Sequence, residues 1–207
     1  MRIVKNLSIV IVFSILLSSC AKIYYSPDAN NLAKNHQTIA ILPPRVSIAA
    51  NKKVDAEAII EQQKTESLNF QKEMYAWMLK RKMQGKITPE ILDIETTNAK
   101  LKNAGYPEKI FTSENICEIL GVDGILGSNY SLSKPMSAGA AVTLGVLFGT
   151  WGSTNEVTVA LDIMDCASNK LLWNYDHKYS GGIGSSPAQL VDGLMRNASK
   201  KMPYMID

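Results

Sequence analysis

Hydrophobic residues fall along the chain in stretches of different period, and each period predicts a different element. Residues 7–17 (LSIVIVFSILL) are apolar apart from two serines, with Arg2 and Lys5 before them and the small Ser18-Ser19-Cys20 behind. That order is a secretory signal peptide, and the run is too short for a permanent span, which needs about 20 apolar residues. Residues 37–42 (QTIAIL) form a short apolar run stopped by Pro43-Pro44, which predicts a buried strand. From Asp55 to the stop at Gly85 the pattern turns helical, with Phe70, Met74, Trp77 and Met78 at spacings of three and four, Glu57 in the first turn and Lys80-Arg81-Lys82 in the last. Residues 87–94 are weakly strand-like and Pro89 confines them to an edge. Short helices follow over 95–104 and from the cap Thr112-Ser113 to Leu120, ended by Gly105 and Gly121. Asp123-Gly124 then leads into a strand over 125–132, with Leu126, Tyr130 and Leu132 on one face.

The clearest pattern comes last. Val157, Val159, Leu161 and Ile163 alternate with Thr158, Ala160, Asp162 and Met164. Beyond a turn at Ala167-Ser168-Asn169, the residues Leu171, Trp173, Tyr175, His177 and Tyr179 alternate with Leu172, Asn174, Asp176 and Lys178. Two runs of period two around a turn predict an antiparallel hairpin. After Gly181-Gly182-Ile183-Gly184, the box Ser186-Pro187-Ala188-Gln189 opens a last helix that puts Leu190, Val191, Leu194, Met195, Ala198 and Met202 on one side and stops at Pro203.

The tetrapeptide Leu17-Ser18-Ser19-Cys20 resembles the bacterial lipobox, in which a cysteine is acylated and becomes the new N-terminus. The resemblance implies removal of residues 1–19 and a membrane anchor at Cys20, lasting because two or three acyl chains on one residue hold where a single chain does not. Residues 20–34 are then expected as a polar, lipidated tether and residues 35–207 as one globular domain. Ala21, where an aspartate would retain the protein at the inner membrane, implies a periplasm-facing outer-membrane lipoprotein. No acidic cluster follows Cys20 to signal surface export.

A composition of 46% hydrophobic and 20% charged residues fits a globular domain. The formal charge of +3 loses Arg2 and Lys5 with the leader, so the remaining chain is near neutral and bulk charge recruits no nucleic acid. Of the three cysteines, Cys117 and Cys166 remain after Cys20; their spacing matches no metal or redox motif. The favoured reading is two separately buried thiols, with a pair as the alternative in an oxidising compartment.

Between Lys134 and Glu156 no residue is charged, and glycines punctuate an apolar sequence over 136–153. A plain buried connection is one reading. The sharper one is a partner or self-association surface carried by Leu144, Val146, Leu147, Phe148 and Trp151, because so long an uncharged segment exceeds what a connection between strands needs.

No phosphate loop, nucleophile elbow or metal-ligand spacing occurs, so no catalytic residue, metal or cofactor is expected. The two histidines, His36 and His177, read as packed or surface residues.

The element order predicts an α/β (α+β) fold, a mixed sheet of about five strands with helices on its faces, closing in an antiparallel hairpin and a helix. Thr38-Ile39-Ala40-Ile41-Leu42-Pro43-Pro44, Ile119-Leu120-Gly121-Val122-Asp123-Gly124-Ile125-Leu126-Gly127 and Lys170-Leu171-Leu172-Trp173 resemble the superfamily of periplasmic lipoproteins that includes the curli secretion channel and activators of penicillin-binding proteins. The resemblance implies an anticodon-binding-like sandwich and a non-enzymatic role in envelope assembly or secretion. Three functions follow as expectations: an anchored adaptor for an envelope protein partner, a homo-oligomeric ring subunit of a secretion channel, and a hydrolase with an unrecognised site.

Overall fold

The hairpin predicted most firmly is the spine of the sheet in a computed structural model that describes residues 21–49, 56–133, 156–179 and 187–206. Strands β5 (Gly124–Ser133), β6 (Glu156–Asp165) and β7 (Lys170–Tyr179) run antiparallel in succession over ten residues each. The alternation of Val157, Val159, Leu161 and Ile163 puts all four inside. On β7 the alternation slips: a bulge beside Ile163 and Met164 pairs Ile163 with Trp173 and Met164 with Leu171, and buries Leu172 where Leu171 was expected.

Two short strands share the other side of β5. β2 (Thr38–Ile41) pairs with Gly124, Ile125 and Leu126, and β3 (Arg45–Ile48) with residues Asn129 to Leu132, both parallel. Pro43-Pro44 fall in the gap between them, where two missing N–H donors interrupt the ladder and the chain then resumes along the same neighbour. β4 (Glu90–Ile91) closes that edge beside β2, and β1 (Lys22–Tyr25) closes the far edge antiparallel to β7. Among the described residues the sheet therefore has seven strands, two more than expected. The additions are β3 and β1, and β1 corrects the reading of residues 20–34 as a spacer. Lys22–Tyr25 belongs to the sheet, and α1 (Ala29–Asn35) packs back with Ala29 and Ala33 in the core.

One face is covered by helices over β5, β6 and β7. α2 (Ala56–Met83) brings Phe70, Met74 and Met78, all 0% exposed, and α5 (Pro187–Ala198) brings Leu190, Val191, Leu194 and Met195 against Tyr130, Leu132, Val157, Leu161 and Trp173. Removing such a side chain to Ala costs about 2–5 kcal/mol through lost transfer energy and the cavity left. Phe70 stacks on Tyr130 at 4.0 Å, and the thioether of Met74 accepts hydrogen bonds from the hydroxyls of Tyr130 and Ser128. Those contacts make Met74 the partner of two buried polar groups as well as a space filler.

The second face is half covered. α3 (Ile94–Ala104) and α4 (Ser113–Leu120) pack Leu101, Ile116 and Leu120 on Ala40 and Ile125. Both end at glycines in the left-handed region, Gly105 (φ 98°) and Gly121 (φ 68°), and both open on side-chain caps, Asp93 and Thr112. Gln71 of α2 donates to the Ile41 carbonyl beside the Pro43-Pro44 break and exchanges a reciprocal amide pair with Asn98 of α3. Beyond α4 the sheet surface is open and polar. Lys22, Asp176, Ala160, Asn129 and Arg45 lie across it in one register row, and Tyr24, Asn174, Asp162 and Gly127 in the next.

Candidate functional site: the two ends of the sheet

The strands give the molecule two ends with different chemistry. At one end lie Ser133 and Glu156, paired with each other where β5 stops and β6 starts, and the last pair of the hairpin, Val157 with Tyr179. β1 also starts toward this end, since Lys22 faces Asp176 while Tyr25 faces Trp173 further along. Cys20 is joined to β1 through Ala21 alone. Lys22 lies level with Asp176 and Ala160, midway along β6, and β1 runs from there away from Ser133 and Glu156, so the chain reaches β1 from the side on which β5 stops and β6 starts. Cys20, Leu144, Val146, Leu147, Phe148 and Trp151 themselves, like the glycine run 181–184, lie outside the described residues.

The opposite end holds a buried polar cluster. His36 lies just before β2, Asp165 ends β6 and Tyr204 follows α5; all three are buried. The imidazole sits between the other two, with Nε2 2.8 Å from Asp165 Oδ1 and Nδ1 2.8 Å from the Tyr204 hydroxyl. Asp165 Oδ2 accepts from both the backbone N–H and the hydroxyl of Ser168 in the β6–β7 turn. Burial pushes the Asp165 carboxyl up, but hydrogen bonds from Ser168 and His36 outweigh it and hold the group below the ordinary carboxylate range. Burial, reinforced by the charges of Asp165 and Asp123, pushes the Tyr204 hydroxyl up, so it stays protonated. The Asp165 carboxylate accepts from Nε2–H and the Tyr204 hydroxyl shares a hydrogen bond with Nδ1, which occupies both ring nitrogens. The arrangement provides a fastening between three chain segments.

Neighbouring residues are shaped to this cluster. A Cβ on Gly124 would stand 2.5 Å from His36 Nδ1 and 2.8 Å from the Tyr204 oxygen, so only glycine admits the pair at the start of β5. Asp123 Oδ2 accepts the backbone N–H groups of Gln37 and Thr38, at 2.9 and 2.8 Å, fixing the entry to β2. Cys166, directly after Asp165, is disulfide-bonded to Cys117 of α4. This bond corrects the expectation of two separate thiols: α4 packs over the strand end so that the two Cα atoms stand 5.6 Å apart, within the range a bridge spans. His36 and His177 are both packed, as expected, and burial, opposed by the charge of Asp176, holds the His177 imidazole below its ordinary range.

Two concavities flank these features. An open cleft of about 480 Å³ beside the cluster is rimmed by Asn35, Glu114, Glu118, Asp123 and Asn169. A groove of about 350 Å³ lies where the α3–α4 loop meets the open sheet face, between Tyr106, Phe111, Arg45 and Asp162. Among the described residues no three His, Cys, Asp or Glu side chains are placed to hold a metal ion, and no helix is long and apolar enough to cross a membrane.

The fold is that of a mixed α/β domain with helices packed on an open sheet. No protein-family profile matches the chain, and no curated protein matches it. Solved structures it is similar to include lipoprotein GNA1162 from Neisseria meningitidis, at 12% identity over 79% of this chain and 94% of that one, with a TM-score of 0.42. The C-terminal domain of LpoB from Salmonella enterica shows 9% identity over 70% of this chain and 83% of its own, TM-score 0.35. A PelC dodecamer from Paraburkholderia phytofirmans shows 8% identity over 91% and 99%, TM-score 0.40.

Proposed function

We propose that the protein is a non-enzymatic, acyl-anchored adaptor of the cell envelope, held by Cys20 in the outer membrane facing the periplasm and engaging an envelope protein partner through the uncharged segment 136–153. The observation that carries this reading is the common side of approach to the sheet. The chain from Cys20 approaches β1 from the side of the sheet on which Ser133 and Glu156 lie, which supports an anchor and a contact surface that act beside the same membrane. Leu144, Val146, Leu147, Phe148 and Trp151 supply apolar area for a partner embedded in, or lying on, that membrane. The polar cluster at the other end, with its histidine fully hydrogen-bonded, is a fastening and supplies no nucleophile.

Two substitutions test the reading separately. Cys20→Ala abolishes acyl labelling and membrane retention; retained labelling refutes the anchor. Leu147→Glu with Trp151→Glu leaves the protein in the membrane but removes the partners that co-purify with the detergent-extracted lipoprotein, and an unchanged set of partners refutes the contact surface. Native mass spectrometry of the extracted protein reports whether that partner is a second copy: a ring subunit appears as a defined oligomer.

A further inference from the structure

The strand that enters the sheet directly after Cys20 has one side free. Among the described residues β1 pairs with β7 on one side and with no strand on the other, and all four of its residues are exposed. Ile23, Tyr24 and Tyr25 are 37%, 49% and 43% exposed, three consecutive large apolar side chains on an edge that water would leave open to wrong pairing. Tyr25 donates from its hydroxyl to the Lys201 carbonyl, which brings the exposed Lys200 and Lys201 of the turn Ser199–Lys201 alongside. With Lys22 at the start of the strand, cations flank two tyrosines; Asp28 and Asp176 are the nearby acids in sequence and register.

We propose that this edge, β1 with the Ser199–Lys201 turn, lies along the membrane and binds anionic phospholipid headgroups. The proposal rests on the reading of Cys20 as the acylated residue and adds to it an orientation and a second contact. Chain length supports it. One residue separates Cys20 from β1, and two Cα steps of 3.8 Å carry the chain at most about 7 Å. The headgroup layer on each side of a bilayer is about 5–8 Å thick, so β1 begins inside or against it. Tyrosines favour that depth because the ring tolerates the acyl boundary while the hydroxyl stays wet, and lysines there meet lipid phosphates. Among the other exposed apolar residues, Met83 ends α2 and Ile110 lies in the α3–α4 loop, neither of them on β1 or the Ser199–Lys201 turn.

The test places the full acylated protein in nanodiscs of phosphatidylethanolamine and phosphatidylglycerol carrying a gadolinium-chelating headgroup, and reads paramagnetic broadening of amide signals. Broadening is expected to remove the signals of Tyr24, Tyr25 and Lys201 and to spare Ile110 and Met83. In Lys200→Glu/Lys201→Glu the protein stays in the disc and the selectivity is lost. Equal broadening at Ile110 and Met83, or the strongest at Ser131 and Thr158 with β1 spared, overturns the proposal; so does protection of the β1 amides that persists in detergent as a dimer, which assigns the edge to a second copy. A chain whose Cys20 carries no acyl mass refutes the anchor reading on its own. Sedimentation of that same chain with phosphatidylglycerol vesicles against phosphatidylcholine vesicles then decides the edge. Selective binding lost in Lys200→Glu/Lys201→Glu upholds it, and no binding overturns it.

Discussion

His36 and Asp165, 129 residues apart in sequence, share a buried hydrogen bond of 2.8 Å, and Tyr204 closes the other side of the same imidazole. The start of β2, the end of β6 and the segment after α5 are thereby held by one ring. Tyr204→Phe keeps the packing and leaves Nδ1 buried without its partner, and an unsatisfied buried polar group costs about 1–3 kcal/mol. Urea denaturation is expected to show that loss, and a similar one for Asp165→Asn. Because both changes act through His36, the double variant should lose less than the sum. Additive losses would mean that the two contacts are independent.

His177 and Asp165 set an acid limb of stability. His177 is held below its ordinary value of 6.5 by burial, so its folded form resists the proton that the unfolded chain accepts, and stability falls as pH drops below about 6.5. Asp165 is held below its ordinary 3.8, so its contribution is complete above that value and is lost as pH falls further through the folded value. Denaturant midpoints measured from pH 8 to pH 3 should therefore decline in two stages. His177→Gln flattens the upper stage and Asp165→Asn the lower; a profile unchanged by either substitution contradicts the assignment.

Gly124 predicts a sharp contrast with its neighbour. A methyl at Gly124 meets His36 Nδ1 at 2.5 Å and the Tyr204 oxygen at 2.8 Å, whereas a Cβ at Gly127 meets nothing within 4 Å. Gly124→Ala should cost about 1–3 kcal/mol, as overpacking of a close-packed site does, and Gly127→Ala should be tolerated. Thermal melts of the two variants side by side check this, and equal melting temperatures would mean that the cluster repacks freely.

What the sequence made legible follows from where each signal resides. The alternation in β6 and β7, the spacing of Phe70, Met74, Trp77 and Met78, and the glycine stops at 105 and 121 are local, and the structure keeps all of them. β1 and β3 escaped because four residues carry too little periodicity; only pairing with β7 and β5 makes them strands. The bulge that buries Leu172 leaves no trace in the alternation. His36, Asp165 and Tyr204 each look unremarkable in sequence, and topology alone assembles them; the nearest signal is a glycine at 124 where a strand begins. Cys20 and the 136–153 segment are expectations from composition and order, and the described residues include only the strands that lead to them.

The Cys117–Cys166 bond joins α4 to the end of β6 across 49 residues that include β5 and the entry to the hairpin. Closing a loop of that length in the unfolded chain removes conformational entropy worth about 4 kcal/mol in the chain-entropy account, near the upper end of what single bridges deliver. The bond also fastens the smaller core of Leu101, Ile116 and Leu120, which has fewer buried side chains to stabilise it than the face under α2 and α5. Cys117→Ser/Cys166→Ser is therefore expected to fold with a stability lower by about 2–4 kcal/mol. Hydrogen exchange should rise first in α4 and the start of β5, while β6 and β7 keep their protection. Exchange that rises uniformly across the sheet would show that the bridge supports the whole fold and not the α4 face in particular.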